Sequence, residues 1–425
     1  MTAVTLQGGG VVTCPVSRLK AGLTLVSPVL WVSISLLLLL LPVGSCDAGD
    51  APCPAEETAL LLSPLIASGQ IHLAQEKSRV RCLPGADLES YSGFISVDKP
   101  ECGSNLFFWF IPAQERPKDA PLLLWLNGGP GRSSMYGAMF ENGPYELTNT
   151  VSQSGKYVPA LGYYIHHRMD SDDKPRMRLK GIFIGSGYCD PEKIQPELPE
   201  MLYSVGIYSD FDRRQHLKRI ADGWSKPHHN PSYPEKGLFW DIMRYYSSMG
   251  HPTEKTYNVY DHRLDIRQLI NWDLLLHRFM SKPSVQNALH VGRRPGAFGA
   301  IPKEFSPLES IRGVRMEMAL LMDHYKVLHY TGNMDIIVNV RMTEAYLLAT
   351  PWSGQADYNN SQRYPWWHNE RLAGFYTQVH NFTRVIIRNA GHDAPRDQPE
   401  WTLEMMQRFI SNQPFWSSAT SGAVL

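Results

Sequence analysis

An aspartate at position 335 and a histidine at 392 each stand just beyond a short apolar run, residues 325–330 for the first and 383–387 for the second. Acyl transfer through a covalent intermediate needs a nucleophile, an imidazole to take its proton, a carboxylate to orient that imidazole, and N–H donors for the oxyanion. Asp335 and His392 are the right types for orienting acid and base. Taken alone, an acid and a histidine on loops read equally well as structural or solvent-facing groups. The block Asn127-Gly128-Gly129-Pro130-Gly131 is more specific, because it cuts off the apolar run 121–126. Glycines at the end of a buried strand let backbone N–H groups face a bound oxygen with no side chain in the way. A plain Gly-Pro turn is the bland alternative.

These residues must be held by regular elements, and the chain supplies them. Residues 91–97 and 105–112 alternate in polarity on either side of Pro100 and Gly103, which predicts an antiparallel hairpin. The run 121–126 suits a buried central strand. From Tyr157 the positions Val158, Leu161 and Ile165 fall at helical spacing, with Pro159 in the first turn. Gly181-Ile182-Phe183-Ile184-Gly185 reads as another buried strand, and residues from about 195 to 290 lean helical, as an inserted cap would. Strand patterning returns at 325–330 and again in a hairpin through 374–379 and 383–387 that turns at His380-Asn381. Trp401, Leu403, Met406, Phe409 and Ile410 then trace the apolar face of a closing helix. Strand, loop residue, strand, loop residue, helix is the C-terminal order of an α/β-hydrolase, which has a central, mostly parallel sheet.

Several blocks, in order, resemble those of the serine carboxypeptidases, with the vitellogenic-like branch the nearer match. They are residues 125–131, Gly155-Lys156-Tyr157-Val158-Pro159-Ala160, Gly332-Asn333-Met334-Asp335 and Ala390-Gly391-His392, supported by 92–94, 104–110, 181–185 and Asp397-Gln398-Pro399. The resemblance runs from about residue 85 to 412. It implies that Asp335 and His392 are triad acid and base and that Gly129 supplies an oxyanion N–H. It also implies that Asn127, Gly128 and Glu141 hold the C-terminal carboxylate of a peptide. A glutamic acid hydrogen-bonds a carboxylate only while protonated, so acidic conditions and a compartment such as the lysosome follow.

The nucleophile departs from that pattern. Where the family has Gly-Glu-Ser-Tyr, this chain has Thr150-Val151-Ser152-Gln153, so Ser152 holds the serine's register without its glycine or acidic neighbour. An elbow serine sits at the end of a buried strand, and residues 145–151 are too polar to be one. Only residues 127–151 separate the Asn-Gly-Gly motif from Ser152, whereas a parallel crossover consumes a dozen or more before any strand is built. The expectation is an α/β-hydrolase fold with core strands missing, through a skipped exon, an incomplete gene or a degenerate paralogue.

Lysine plus arginine and aspartate plus glutamate balance at 41 each in 425 residues, so no net field draws the chain to nucleic acid or an anionic membrane. Residues 25–43 are apolar, follow Arg18 and Lys20, and end at Pro42, Gly44 and Ser45, which predicts a secretory signal or signal-anchor over 1–45 and a luminal or extracellular domain over 46–425. Membrane contact is expected only through such an anchor. In an oxidising compartment Cys53, Cys82, Cys102 and Cys189 can form disulfides, and Asn359 and Asn381 head glycosylation sequons. No ligand cluster has metal or cofactor spacing, so none is expected. Three functions compete: a carboxypeptidase acting on peptides or proteins with a free C-terminus; a catalytically dead splice form or paralogue binding peptides or luminal partners; and an esterase, against which Asn127 and Glu141 argue.

Overall fold

The computed structural model describes residues 2–7, 58–84, 88–97, 104–127, 134–140, 155–168, 178–224, 258–265, 272–292 and 313–415. Among the described residues there are nine strands, β1 Thr2–Gln7, β2 Tyr91–Ser96, β3 Asn105–Ile111, β4 Leu122–Trp125, β5 Gly181–Gly185, β6 Lys326–Gly332, β7 Tyr364–His368, β8 Arg371–Val379 and β9 Phe382–Ile387. They form two sheets, ordered β2-β3-β1-β4 and β5-β6-β9-β8-β7. Among the described strands β1–β4, β5–β6 and β6–β9 pair in parallel. The hairpins β2–β3, β7–β8 and β8–β9 are antiparallel, as is the β1–β3 pair, so both sheets are mixed.

Period-two alternation explains how the second sheet is buried on both faces. Ile182, Ile184, Val327 and Phe382 join one core with residues of the helices Glu197–Ser204, Arg315–His324 and Val340–Ala349. Leu328, Tyr330, Val385 and Ile387 face a second core under the helix Pro399–Ile410. That helix buries Trp401, Met405, Met406 and Phe409, while Leu403, expected on the same face, is 51% exposed. Position 405 lies one turn from 401 and 409, which moves the apolar stripe off 403.

Both ends of the stretch read as a cap are tied into cores. Leu198 and Leu202 belong to the first core, and Leu276, Met280, Val285 and Leu289 pack with Phe107, Trp109 and Met135 beneath β2 and β3.

Among the described residues no strand lies between β4 and β5. Trp125 of β4 and Phe183 of β5 meet there, with ring centroids 6.3 Å apart, and both pack against the core under the closing helix. Most of the stretch in which the sequence leaves no room for an elbow strand, 128–133 and 141–154, lies outside the described residues. β1 fills a different position, antiparallel to β3 and parallel to β4. Of the predicted targeting segment over 1–45, only residues 2–7 lie within the described set. No described helix is long and apolar enough to cross a membrane. Cys82 is disulfide-bonded, whereas Cys189 is a buried free thiol whose Sγ donates to the Gly155 carbonyl, 3.0 Å away.

Candidate active site

Adjacent parallel strands bring Asp335 and His392 together. Gly332 at the end of β6 is paired with Ile387 at the end of β9, so the loops that follow leave the sheet side by side. Two further bonds keep them abreast, Asn333 N–H to the Ile387 carbonyl at 3.0 Å and Met334 N–H to the Ala390 carbonyl at 2.8 Å. Residues 57 apart in sequence thereby meet: His392 Nδ1 lies 2.7 Å from Asp335 Oδ2. Both side chains are 0% exposed.

The other Asp335 oxygen, Oδ1, accepts the Val338 N–H at 3.0 Å, so the carboxylate is held at both ends. An ionised carboxylate is acceptor-only, which requires the proton on His392 Nδ1 and makes Nε2 the basic nitrogen of the neutral ring. The loop carrying His392 is fixed from a second side as well. Gly391 N–H donates to Asp397 Oδ2 at 2.7 Å, and burial raises the Asp397 carboxyl above its ordinary range although Arg396 works against the rise.

Ser186 enters the site from the end of β5. It has φ 42°, in the left-handed region, and its Oγ donates to the His392 carbonyl at 3.2 Å. Flanking Gly185 and Gly187 leave room for that turn. Gly155 packs directly on Gly187 and the Tyr188 amide, where a Cβ could not fit. The chain therefore arrives, three residues after Ser152, at the strand end that touches His392. Sequence reasoning passed over Ser186, although a serine between two glycines after a buried strand is a readable signal.

Asn127 is 3% exposed, and its amide is oriented by its neighbours. Its Oδ1 accepts from Trp125 Nε1 at 3.0 Å and from the Gly137 N–H at 2.7 Å, while its own N–H donates to Ser134 Oγ at 3.1 Å. With Oδ1 so engaged, the donor face, Nδ2, points away from those two partners. Gly128, Gly129, Glu141 and Ser152 lie outside the described residues. Asn359 and Asn381 are both exposed. Among the described residues no group of three or more His, Cys, Asp or Glu could hold a metal ion.

The profile of the serine carboxypeptidase family matches residues 83–154 and 149–412. The chain belongs to that family. A human relative, described as a probable serine carboxypeptidase CPVL, is 29% identical over 492 aligned positions that take in 90% of this chain and 97% of the relative. Those positions outnumber the 425 residues of the chain, so the relative carries stretches that this chain lacks. The vitellogenic carboxypeptidase of Aedes aegypti is 30% identical, covering 82% of this chain and 89% of the relative. The crystal structure of a prohormone-processing carboxypeptidase from Saccharomyces cerevisiae, Kex1(delta)p, superposes with a TM-score of 0.63 at 17% identity. That superposition covers 80% of this chain and 96% of the other, and carries the α/β-hydrolase fold. The family profile matches in two pieces that overlap at residues 149–154, the stretch that contains Ser152.

Proposed function

We propose that the chain is a serine carboxypeptidase in which His392 is the general base, Asp335 orients it, and Ser152 is the nucleophile. The buried 2.7 Å contact between His392 Nδ1 and Asp335 Oδ2 carries the reading. Ser152 Oγ attacks the last peptide carbonyl while His392 Nε2 takes the hydroxyl proton. The same proton passes to the amine of the departing C-terminal residue as the C–N bond breaks, leaving an acyl-serine. Water, deprotonated by Nε2, then attacks the ester and restores the serine. Gly129 N–H faces the oxyanion, and Asn127, Gly128 and protonated Glu141 hold the substrate's terminal carboxylate. That last requirement favours an acidic luminal compartment, lysosomal or secreted, and the exposed Asn359 and Asn381 suit glycosylation there.

The absence of a strand between β4 and β5 among the described residues supports a second reading, a member of the family that binds peptide ends or luminal partners without cleaving them. One experiment separates the two. A fluorophosphonate probe applied to the folded protein labels Ser152 on the first reading, and Ser152→Ala abolishes the label. A folded protein that takes no label and releases no C-terminal residue from peptides at acidic pH overturns the first reading and leaves the second.

A further inference from the structure

Residues 258–265 form neither helix nor strand, yet they touch both loops that carry the acid–base pair. On the acid side the Ile336 N–H donates to the Val259 carbonyl at 3.2 Å, and the Met334 carbonyl accepts from the His262 N–H at 3.2 Å. His262 Nδ1 also lies 2.9 Å from that carbonyl, so it must carry the ring proton and donate. On the base side the His392 N–H donates to the Tyr260 carbonyl at 2.7 Å. The Tyr260 ring lies against the His392 ring, with centroids 5.9 Å apart and planes at 59°.

The segment is itself braced. Asn258 N–H donates to the Leu264 carbonyl at 3.0 Å, and Asn258 Oδ1 accepts the Tyr260 N–H at 2.9 Å. Asp261, 2% exposed, accepts the Arg263 N–H at 3.1 Å and pairs with its guanidinium. Arg263 Nη2 then reaches the Asn389 carbonyl at 3.1 Å, three residues before the base.

We infer that residues 258–265 are a strap that sets the Asp335–His392 geometry, with Tyr260, His262 and Arg263 as positioning residues. The inference rests on reading that pair as acid and base. Strand pairing fixes the two loops only as far as Gly332 and Ile387, and Asp335 and His392 lie three and five residues further on. Productive geometry tolerates about 0.5 Å of error, so loops that far past their last ladder bond need ties of their own. A single short segment bonded to both loops makes their relative position one rigid quantity.

The test uses the full-length protein and the downfield proton resonance of the His392 Nδ1–H, assigned by its loss in His392→Ala. Tyr260→Ala and His262→Phe move that resonance upfield and speed its exchange with solvent on the order of tenfold, while Tyr260→Phe, which keeps the ring, retains it. Arg263→Gln removes the tether to Asn389 together with the ion pair to Asp261 but leaves the Tyr260 and His262 contacts in place, and it shifts the resonance in the same direction by less, which gives a third variant to read if the others do not fold. Any measurable peptide turnover falls in kcat with KM unchanged. An unshifted resonance with unchanged exchange in Arg263→Gln and in every folded strap variant overturns the inference. A shifted resonance in a protein without peptidase activity sustains the strap and refutes the proposed activity instead.

Discussion

The Tyr260 carbonyl oxygen lies within clashing distance of the point where a Cβ on Gly391 would stand, and the Asp261 Cβ is 2.9 Å from the same point. Gly391 is therefore the residue that lets the base loop close against residues 258–265 and the His392 N–H reach Tyr260. Gly391→Ala forces one backbone away from the other. Overpacking of this kind costs about 1–3 kcal/mol, so a lowered Tm is expected, read by thermal denaturation. A variant with wild-type Tm and an intact Asp335–His392 bond shows that the two segments part without cost.

Asp335→Asn tests the tautomer directly. The amide oxygen can still accept from Val338, but the other end of the side chain now presents donors to His392 Nδ1. The ring then turns or moves its proton to Nε2, and the basic nitrogen is lost. Little volume changes, so the fold persists, whereas turnover of a peptide with a free C-terminus falls on the order of 10⁴-fold. A drop of less than about tenfold, in kcat measured at acidic pH, removes Asp335 from the orienting role.

Asp335 and His392 were legible because each follows an apolar run, and parallel pairing of those runs as β6 and β9 does the rest. Residues 258–265 were not, since they act through backbone carbonyls and N–H groups that leave no periodic trace in side-chain types. β7 escaped for another reason: Pro365 and the paired Trp366 and Trp367 break the alternation that marks a strand, as is usual at a sheet edge. Within β6 and β9 the pattern also hid a polar cluster. Arg384, 1% exposed, bonds His329 Nδ1 at 2.7 Å and Thr331 Oγ1 at 2.9 Å, and only the strand register shows that these residues face one another. Cys189 looked like a disulfide candidate by count and compartment, and its burial against Gly155 made it a core thiol.

That thiol is expected to be inert. Burial pushes its pKa up to about 12, with the Tyr346 hydroxyl and Lys156 working the other way. Because the thiolate is the reactive form, modification at about pH 8 is expected to run a thousandfold or more slower than for a free cysteine. Peptide mapping by mass spectrometry after alkylation reads this at Cys189 alone. Equal labelling in native and denatured protein contradicts the buried thiol.

His368 makes the fold sensitive to pH. At the end of β7 its Nδ1 lies 2.8 Å from Glu404 Oε2 and its Nε2 2.8 Å from Glu400 Oε1. Two acceptor-only partners require protons on both ring nitrogens, so the bonded form is imidazolium. Burial opposes that charge, but the two carboxylates outweigh it and hold the pKa above the ordinary 6.5. Arg371 and Arg408 share those carboxylates, at 2.9 Å from Glu400 and 2.6 Å from Glu404. A raised histidine pKa contributes stability that is complete below the unfolded value and is lost as pH rises through the folded one. At the acid end Glu400, held below its ordinary 4.5 first by its bond to the ring, limits the window. The clasp between β7 and the closing helix is thus strongest in mildly acidic solution. His368→Phe should lower Tm near pH 5 and leave it close to wild type above the histidine range, whereas the same Tm difference at both pH values rules the clasp out.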